Sequence, residues 1–145
     1  MHASTIILGT RGVLICGPSG AGKSSLAMAL LEQARSHNKF AALVADDQTL
    51  LSSVHGRLIA RCPDTLCGKI EIYGLGIVRM AAVSSAVIDL VVSLKAGNDI
   101  ERMPEKDRMT IETIDLPHLL LPRQNVQQAM PMITAMLESS LDKQD

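Results

Sequence analysis

The stretch VLICGPSGAGKSS at residues 13–25 constrains the fold more than any other part of this chain. Gly17, Pro18, Ser19, Gly20, Ala21 and Gly22 lead into Lys23 and Ser24, fitting G-x-x-x-x-G-K-[ST] at every fixed position. Apolar Val13 to Cys16 precede the motif as a strand, and Leu26, Ala27, Leu30, Leu31 and Ala34 recur after it at helical spacing. A glycine-rich turn between a strand and a helix is the setting in which such a motif cradles phosphate. Glycines let backbone N–H groups curl around the anion, Lys23 reaches the terminal phosphates, and the Ser24 hydroxyl can complete a Mg²⁺ shell at the helix start. The competing reading, a glycine-rich turn that happens to contain Lys-Ser, would not require the flanking strand and helix. An α/β fold with a P-loop, a mixed β-sheet and flanking helices is therefore expected.

The rest of the chain supports that class. Thr5 to Leu8 and Val13 to Cys16 are separated by GTRG and read as an opening antiparallel hairpin. AALVA at 41–45 reads as a buried strand ending at Asp46 and Asp47. Two short strands flank the VHGR turn at 54–57, and further strands are expected at 70–73, 77–83, 86–94 and 110–114. Residues 95–109 carry alternating charges, a glycine and a proline without apolar periodicity, and read as an exposed loop. The Met-rich tail after Asn125 has helical spacing, with Pro131 either kinking the helix or marking its first turn.

At 145 residues, one domain spanning 1–145 is expected. The apolar runs fall short of a membrane span, and MHASTIIL lacks the basic start and small-residue cleavage site of a secretory signal, so a cytoplasmic location is expected. Fourteen basic against 15 acidic side chains, with Phe40 and Tyr73 as the aromatics, provide neither a cationic footprint nor a stacking platform for nucleic acid. Cys16, Cys62 and Cys67 are odd in number and lack a second ligand pair for zinc, which favours reduced, partly buried thiols.

Phosphoryl transfer also requires carboxylates, one toward the metal and one to take the proton of the acceptor hydroxyl. Asp89 lies within the apolar strand AVIDLVV, where the run continues past it and leaves it partway along the sheet. Asp46 and Asp47 instead stand where a strand runs out, an adjacent pair of the kind from which a proton acceptor is built, although the same pair fits a solvated turn. In GKIEIYGLGIVRM, Glu71 precedes a G-L-G turn between two strands, where glycines allow close backbone approach; a plain hairpin is the alternative.

Taken in order, GPSGAGKSS, LVADD and EIYGLGI resemble the HPr kinase/phosphorylase family from about His2 to the final helix. The resemblance implies a nucleotide-binding core of the HPr kinase and phosphoenolpyruvate carboxykinase type. It further implies ATP- and Mg²⁺-dependent phosphorylation of a serine of the phosphocarrier protein HPr, reversal by phosphorolysis in many members, and a hexamer. By position it makes Asp47 the proton acceptor, Lys23 the phosphate-binding lysine, and Ser24 and Glu71 the Mg²⁺ ligands with Asp46 beside them. Arg102 becomes a catalytic arginine and His2 an active-site histidine. Members usually carry an additional N-terminal domain, and motifs beginning at residue 2 fit either a naturally short form or the catalytic domain alone of a longer chain. Ser25 stands where an acidic residue commonly follows Lys-Ser. The basic, glycine-containing segment tied to the reverse reaction is reduced to LPRQN at 121–125, so weaker phosphorolysis is expected. Two rivals share the motif. A nucleotide monophosphate kinase would need a base-binding and lid region richer in arginine than this chain. A non-catalytic nucleotide-binding module would not need the acidic pair or Glu71.

Overall fold

The computed structural model describes residues 1–72, 74–95 and 105–139. The opening hairpin is present: β1 (Ala3–Leu8) and β2 (Arg11–Cys16) pair antiparallel with Ile6 opposite Val13, and α1 (Lys23–Ser36) follows. β3 (Ala41–Ala45) returns antiparallel beside β1. β4 (Leu50–Val54) and β5 (Arg57–Arg61) form a hairpin through His55 and Gly56, both at positive φ as this short turn demands. A 3-10 turn at Asp64–Leu66 leads to a small two-stranded sheet, β6 (Lys69–Ile72) and β7 (Gly76–Arg79). Then come the long β8 (Ser85–Lys95), β9 (Glu105–Ile111), β10 (Ile114–Pro122) and α2 (Val126–Ser139).

The main sheet runs β3-β1-β2-β8-β10-β9, with β5 and β4 attached along the first part of β8. β2, β8 and β10 are mutually parallel neighbours, and the other pairings are antiparallel, so the sheet is mixed. Because β2 and β8 run together, the turn leaving β2 opens at the carboxyl ends of the parallel strands, the edge where such sheets bind ligands. Ile6, Val13, Ile15, Leu90 and Val92 form the face toward Leu26, Leu30 and Leu31 of α1 and Ile133 of α2. Leu14, Leu58, Ile88, Val91 and Leu116 fill the opposite face. Burial on both faces explains why the central strands read as continuous apolar runs. Each fully buried leucine stabilises the fold by roughly 1.5–3 kcal/mol, so the three on α1 hold the helix, and the turn before it, against the sheet.

Several expectations are corrected. Residues 110–114 are not one strand but a hairpin corner, with Glu112 and Thr113 both at positive φ between β9 and β10. IETID lacks the Asn-Gly or Asp-Gly composition of such a corner, which is imposed instead by pairing along its flanks, Met109 with Leu116 and Thr110 with Asp115. Residues 105–109, expected in an exposed loop, belong to β9. It is the terminal strand of the sheet order, and charge there discourages pairing with further strands. Strand β10 lies beyond the strands expected from the sequence; its Pro117 falls just ahead of the pairing with β8 that begins at His118. The strand expected at 77–83 ends at Arg79.

Cys62 and Cys67, expected as thiols, form a disulfide across the Asp64–Leu66 turn, which brings their Cα atoms to 5.4 Å, within bridging range. Pro131 lies inside α2, beyond its first turn. That helix is capped by Asn125, whose Oδ1 accepts the Gln128 N–H at 3.2 Å. Among the described residues, no helix is long and apolar enough to cross a membrane.

Candidate active site

A cleft of about 670 Å³ opens beside the glycine-rich turn, lined by Ser19, Gly20, Lys23, Ser24, Asp46, Asp47, Glu71 and Gln124. The turn is built from backbone that only glycine adopts at low cost: Gly20 has φ 83° and Gly22 φ 97°. Gly22 is also the N-cap of α1, so no side chain caps the helix, and no acidic residue stands in its first turn. The first N–H groups and the positive end of the helix dipole therefore have no carboxylate of their own helix competing for them, an arrangement suited to an anion. Gln124 braces the turn: its N–H donates to the Ala21 carbonyl at 3.1 Å and its side-chain amide to the Gly20 carbonyl. The segment LPRQN is thereby part of the support of this turn.

β3 delivers Asp46 and Asp47 to the opposite wall, and their environments diverge. Asp46 is 8% exposed and accepts three hydrogen bonds. Its Oδ1 accepts the hydroxyls of Ser24 (2.6 Å) and Ser4 (2.8 Å), and its Oδ2 accepts the Glu71 N–H (3.0 Å). Asp47 is about half exposed and faces two basic side chains: the Lys23 ammonium lies 3.2 Å and His2 Nδ1 3.8 Å from its Oδ1. Lys23 is buried to 4% exposure and also donates to the Pro18 carbonyl at 3.0 Å, so its charge is held in place at the mouth of the turn.

His2 is held near the site by the bonds of its neighbour Met1. The terminal ammonium donates to the Thr49 carbonyl and the Thr49 N–H to the Met1 carbonyl, both at 3.0 Å, tying the chain start to the residues after Asp47. On β6, Ile70 and Ile72 turn toward the core while Glu71, between them, is exposed and lines the cleft. Thus Lys23, Ser24, Asp46, Asp47, Glu71 and His2 are brought together, whereas Arg102 lies outside the described residues. Among the described residues, no three His, Cys, Asp or Glu side chains cluster as a ready-made metal cage. The oxygens of Ser24, Asp46 and Glu71 are nevertheless the hard donors Mg²⁺ takes when phosphates and water complete its shell.

Two neighbours are set aside by their surroundings. Burial raises the Cys16 thiol to about 11 against the opposing pull of Lys23 and the N-terminus, so it stays protonated and inert. Asp89 accepts the Gly12 N–H at 3.0 Å where the β2–β8 register shifts. Burial raises its carboxyl, and the Gly12 hydrogen bond, Arg11 and Arg57 oppose that rise. It serves the sheet.

A family model described as the HPr Serine kinase C-terminal domain matches residues 1–145. The chain belongs to that family. An HPr kinase/phosphorylase of Clostridium beijerinckii is 32% identical over 133 residues, covering 84% of this chain and 42% of the relative. One of Caldicellulosiruptor bescii is 33% identical over 133 residues, covering 83% and 41%. The chain thus spans less than half the length of these relatives. The solved structure of the Hpr(Ser) kinase/phosphatase from Coxiella burnetii superposes with a TM-score of 0.82 at 26% identity, over 98% of this chain and 97% of that one. The mixed α/β architecture with its central sheet and two helices is that of the HPr kinase fold.

For this member of the HPr serine kinase C-terminal domain family, sequence reading overlooked Ser4 and Gln124. The available signal for Ser4 was the pair Ser4-Thr5 inside a strand that is otherwise apolar and buried. Gln124 offered none, because its partners lie across the fold.

Proposed function

We propose that residues 1–145 are a catalytic domain that uses ATP and Mg²⁺ to phosphorylate a serine of HPr. The observation that carries this reading is the meeting of Lys23 with Asp47 at 3.2 Å, at the start of an uncapped helix. It sets a candidate base beside the cation that would hold the transferred group. The ammonium has three donors; one goes to the Pro18 carbonyl, and the ion pair with Asp47 still leaves a donor for a phosphate oxygen. Asp47 accepts the hydrogen of the serine hydroxyl as its oxygen attacks the γ-phosphorus, while the bond to the bridging oxygen breaks and ADP leaves. The open N–H groups of α1 and the glycine-rich turn, acting as a P-loop, bind the phosphates. Ser24, Glu71 and Asp46 would hold Mg²⁺, which supplies neutralisation of the phosphate charge. His2 stands 3.8 Å from Asp47 and is assigned to the site by resemblance, as is Arg102 to charge stabilisation.

Incubation with ATP, Mg²⁺ and HPr, beside GMP and no-acceptor controls, tests the assignment. Phosphoserine on HPr supports it; phosphorylation of GMP alone, or nucleotide binding with no transfer, replaces it with a rival. Glu71→Gln keeps shape and removes charge, and is expected to raise the Mg²⁺ concentration needed for half-maximal rate or to abolish turnover. An unchanged Mg²⁺ titration would return Glu71 to a structural role in its hairpin.

The reverse direction is expected to be weaker. Phosphorolysis aligns inorganic phosphate beside an already anionic phosphoserine, and extra cations must offset the repulsion. LPRQN offers Arg123 alone, and Gln124 beside it is occupied with the glycine-rich turn. Pyrophosphate release from serine-phosphorylated HPr with excess phosphate should lag the forward rate. Robust release would show that the segment is dispensable. A homohexamer, which rests on the resemblance, and a cytoplasmic location, which rests on the sequence reading, belong to the same proposal.

A further inference from the structure

We propose that Ser4, which lies outside every motif, is a positioning residue that sets both carboxylates for transfer; the inference rests on the kinase reading above. Ser4 is on β1 and fully buried. Its hydroxyl donates to Asp46 Oδ1 at 2.8 Å and its oxygen accepts the backbone N–H of Asp47 at 3.2 Å. One hydroxyl offers a donor and two lone pairs, so a single side chain serves the two residues at once.

Asp46 passes this restraint on. The oxygen that accepts Ser4 also accepts Ser24 at the start of α1, and the other oxygen accepts the backbone of Glu71 on β6. Three walls of the cleft therefore meet at one carboxylate that Ser4 helps to aim. Asp47 has φ 65°, a left-handed conformation that aspartate tolerates better than most non-glycine residues, and the bonds around it fix its peptide there. Ser4 holds its N–H, and the Ala3 N–H donates to its carbonyl at 3.1 Å. This peptide geometry decides where the Asp47 carboxylate stands relative to Lys23. Ser4 itself does not line the cleft.

Thr5 provides the contrast. It is as buried as Ser4 and on the same strand, but its hydroxyl meets Thr49 at 2.9 Å and no carboxylate. Ser4→Ala and Thr5→Val thus each remove one buried hydroxyl, and only the first touches the acidic pair.

The test measures HPr phosphorylation by wild type, Ser4→Ala and Thr5→Val, with nucleotide affinity and amide hydrogen exchange on each. Misplacing a reacting group by about 1 Å can cost about 10²-fold, so Ser4→Ala should lower kcat by about 10- to 100-fold with little change in ATP KM. Thr5→Val should keep kcat near wild type. Exchange of the Asp47 amide should quicken in Ser4→Ala alone. An unchanged kcat, an equal loss in Thr5→Val, or an unaltered Asp47 amide in Ser4→Ala would overturn the inference while leaving the kinase reading intact. Absence of transfer by the wild type would instead overturn the kinase reading. The Asp47 amide then decides alone: faster exchange supports the restraint by Ser4, and equal exchange overturns it.

Discussion

Asp47→Asn is expected to lower phosphoryl transfer to HPr by about 10²- to 10⁴-fold, the range typical of losing a general base, with nucleotide affinity far less affected. The substitution preserves volume but leaves an amide that cannot accept the serine proton. It should also preserve the turn, because asparagine tolerates the left-handed φ of 65° as well as aspartate does. The bonds of the Asp47 N–H to the Ser4 hydroxyl and of the Ala3 N–H to the Asp47 carbonyl do not involve the altered atoms. Lys23 loses an anionic partner but keeps the Pro18 carbonyl. Single-turnover transfer beside equilibrium binding of an ATP analogue separates the cases. Binding near wild type with transfer almost gone assigns Asp47 to the proton, whereas equal loss of both makes it a structural or metal residue.

Lys23→Ala is expected to abolish detectable transfer, a loss of at least the roughly 10²- to 10³-fold that follows removal of one preorganised donor from a developing anion. Two effects combine. The phosphates lose the cation buried at the mouth of the turn, and Asp47 loses the ammonium that fixes its position. The fold should survive, because α1 is held by Leu26, Leu30 and Leu31 and not by its first residue. Thermal unfolding should still show one cooperative transition while phosphorylation of HPr disappears. Retained ATP-dependent phosphorylation by this variant would remove the basis of the assignment.

The two replacements probe features of unequal legibility. Lys23 and Ser24 are readable because the glycine pattern, the preceding apolar strand and the following helical period are all local, and each is fixed by the backbone preferences of adjacent residues. Asp47 was readable as the end of a strand, but its pairing with Lys23 was not. The hairpin corner at Glu112 and Thr113 escaped for the opposite reason: its residues carry no turn chemistry, and the flanking pairs enforce the conformation. The cysteine spacing was visible, but the closeness of Cys62 and Cys67 depends on the 3-10 turn between them.

By itself, then, the sequence determined the strand–turn–helix unit, the apolar character of a sheet buried on both faces, and the residue types available for phosphoryl transfer. Tertiary structure alone decided which of those residues meet. Ser4 and Asp46 are 42 positions apart, Glu71 and Asp46 25, and Gln124 and Gly20 104, yet each pair is hydrogen-bonded. A hydrogen bond acts over about 3 Å and only at favourable angles, so it forms where strand order and register bring chain segments into line. Here β1 lies between β2 and β3, which sets Ser4 beside the end of β3, and β6 lies against α1, which carries Glu71 to the same carboxylate.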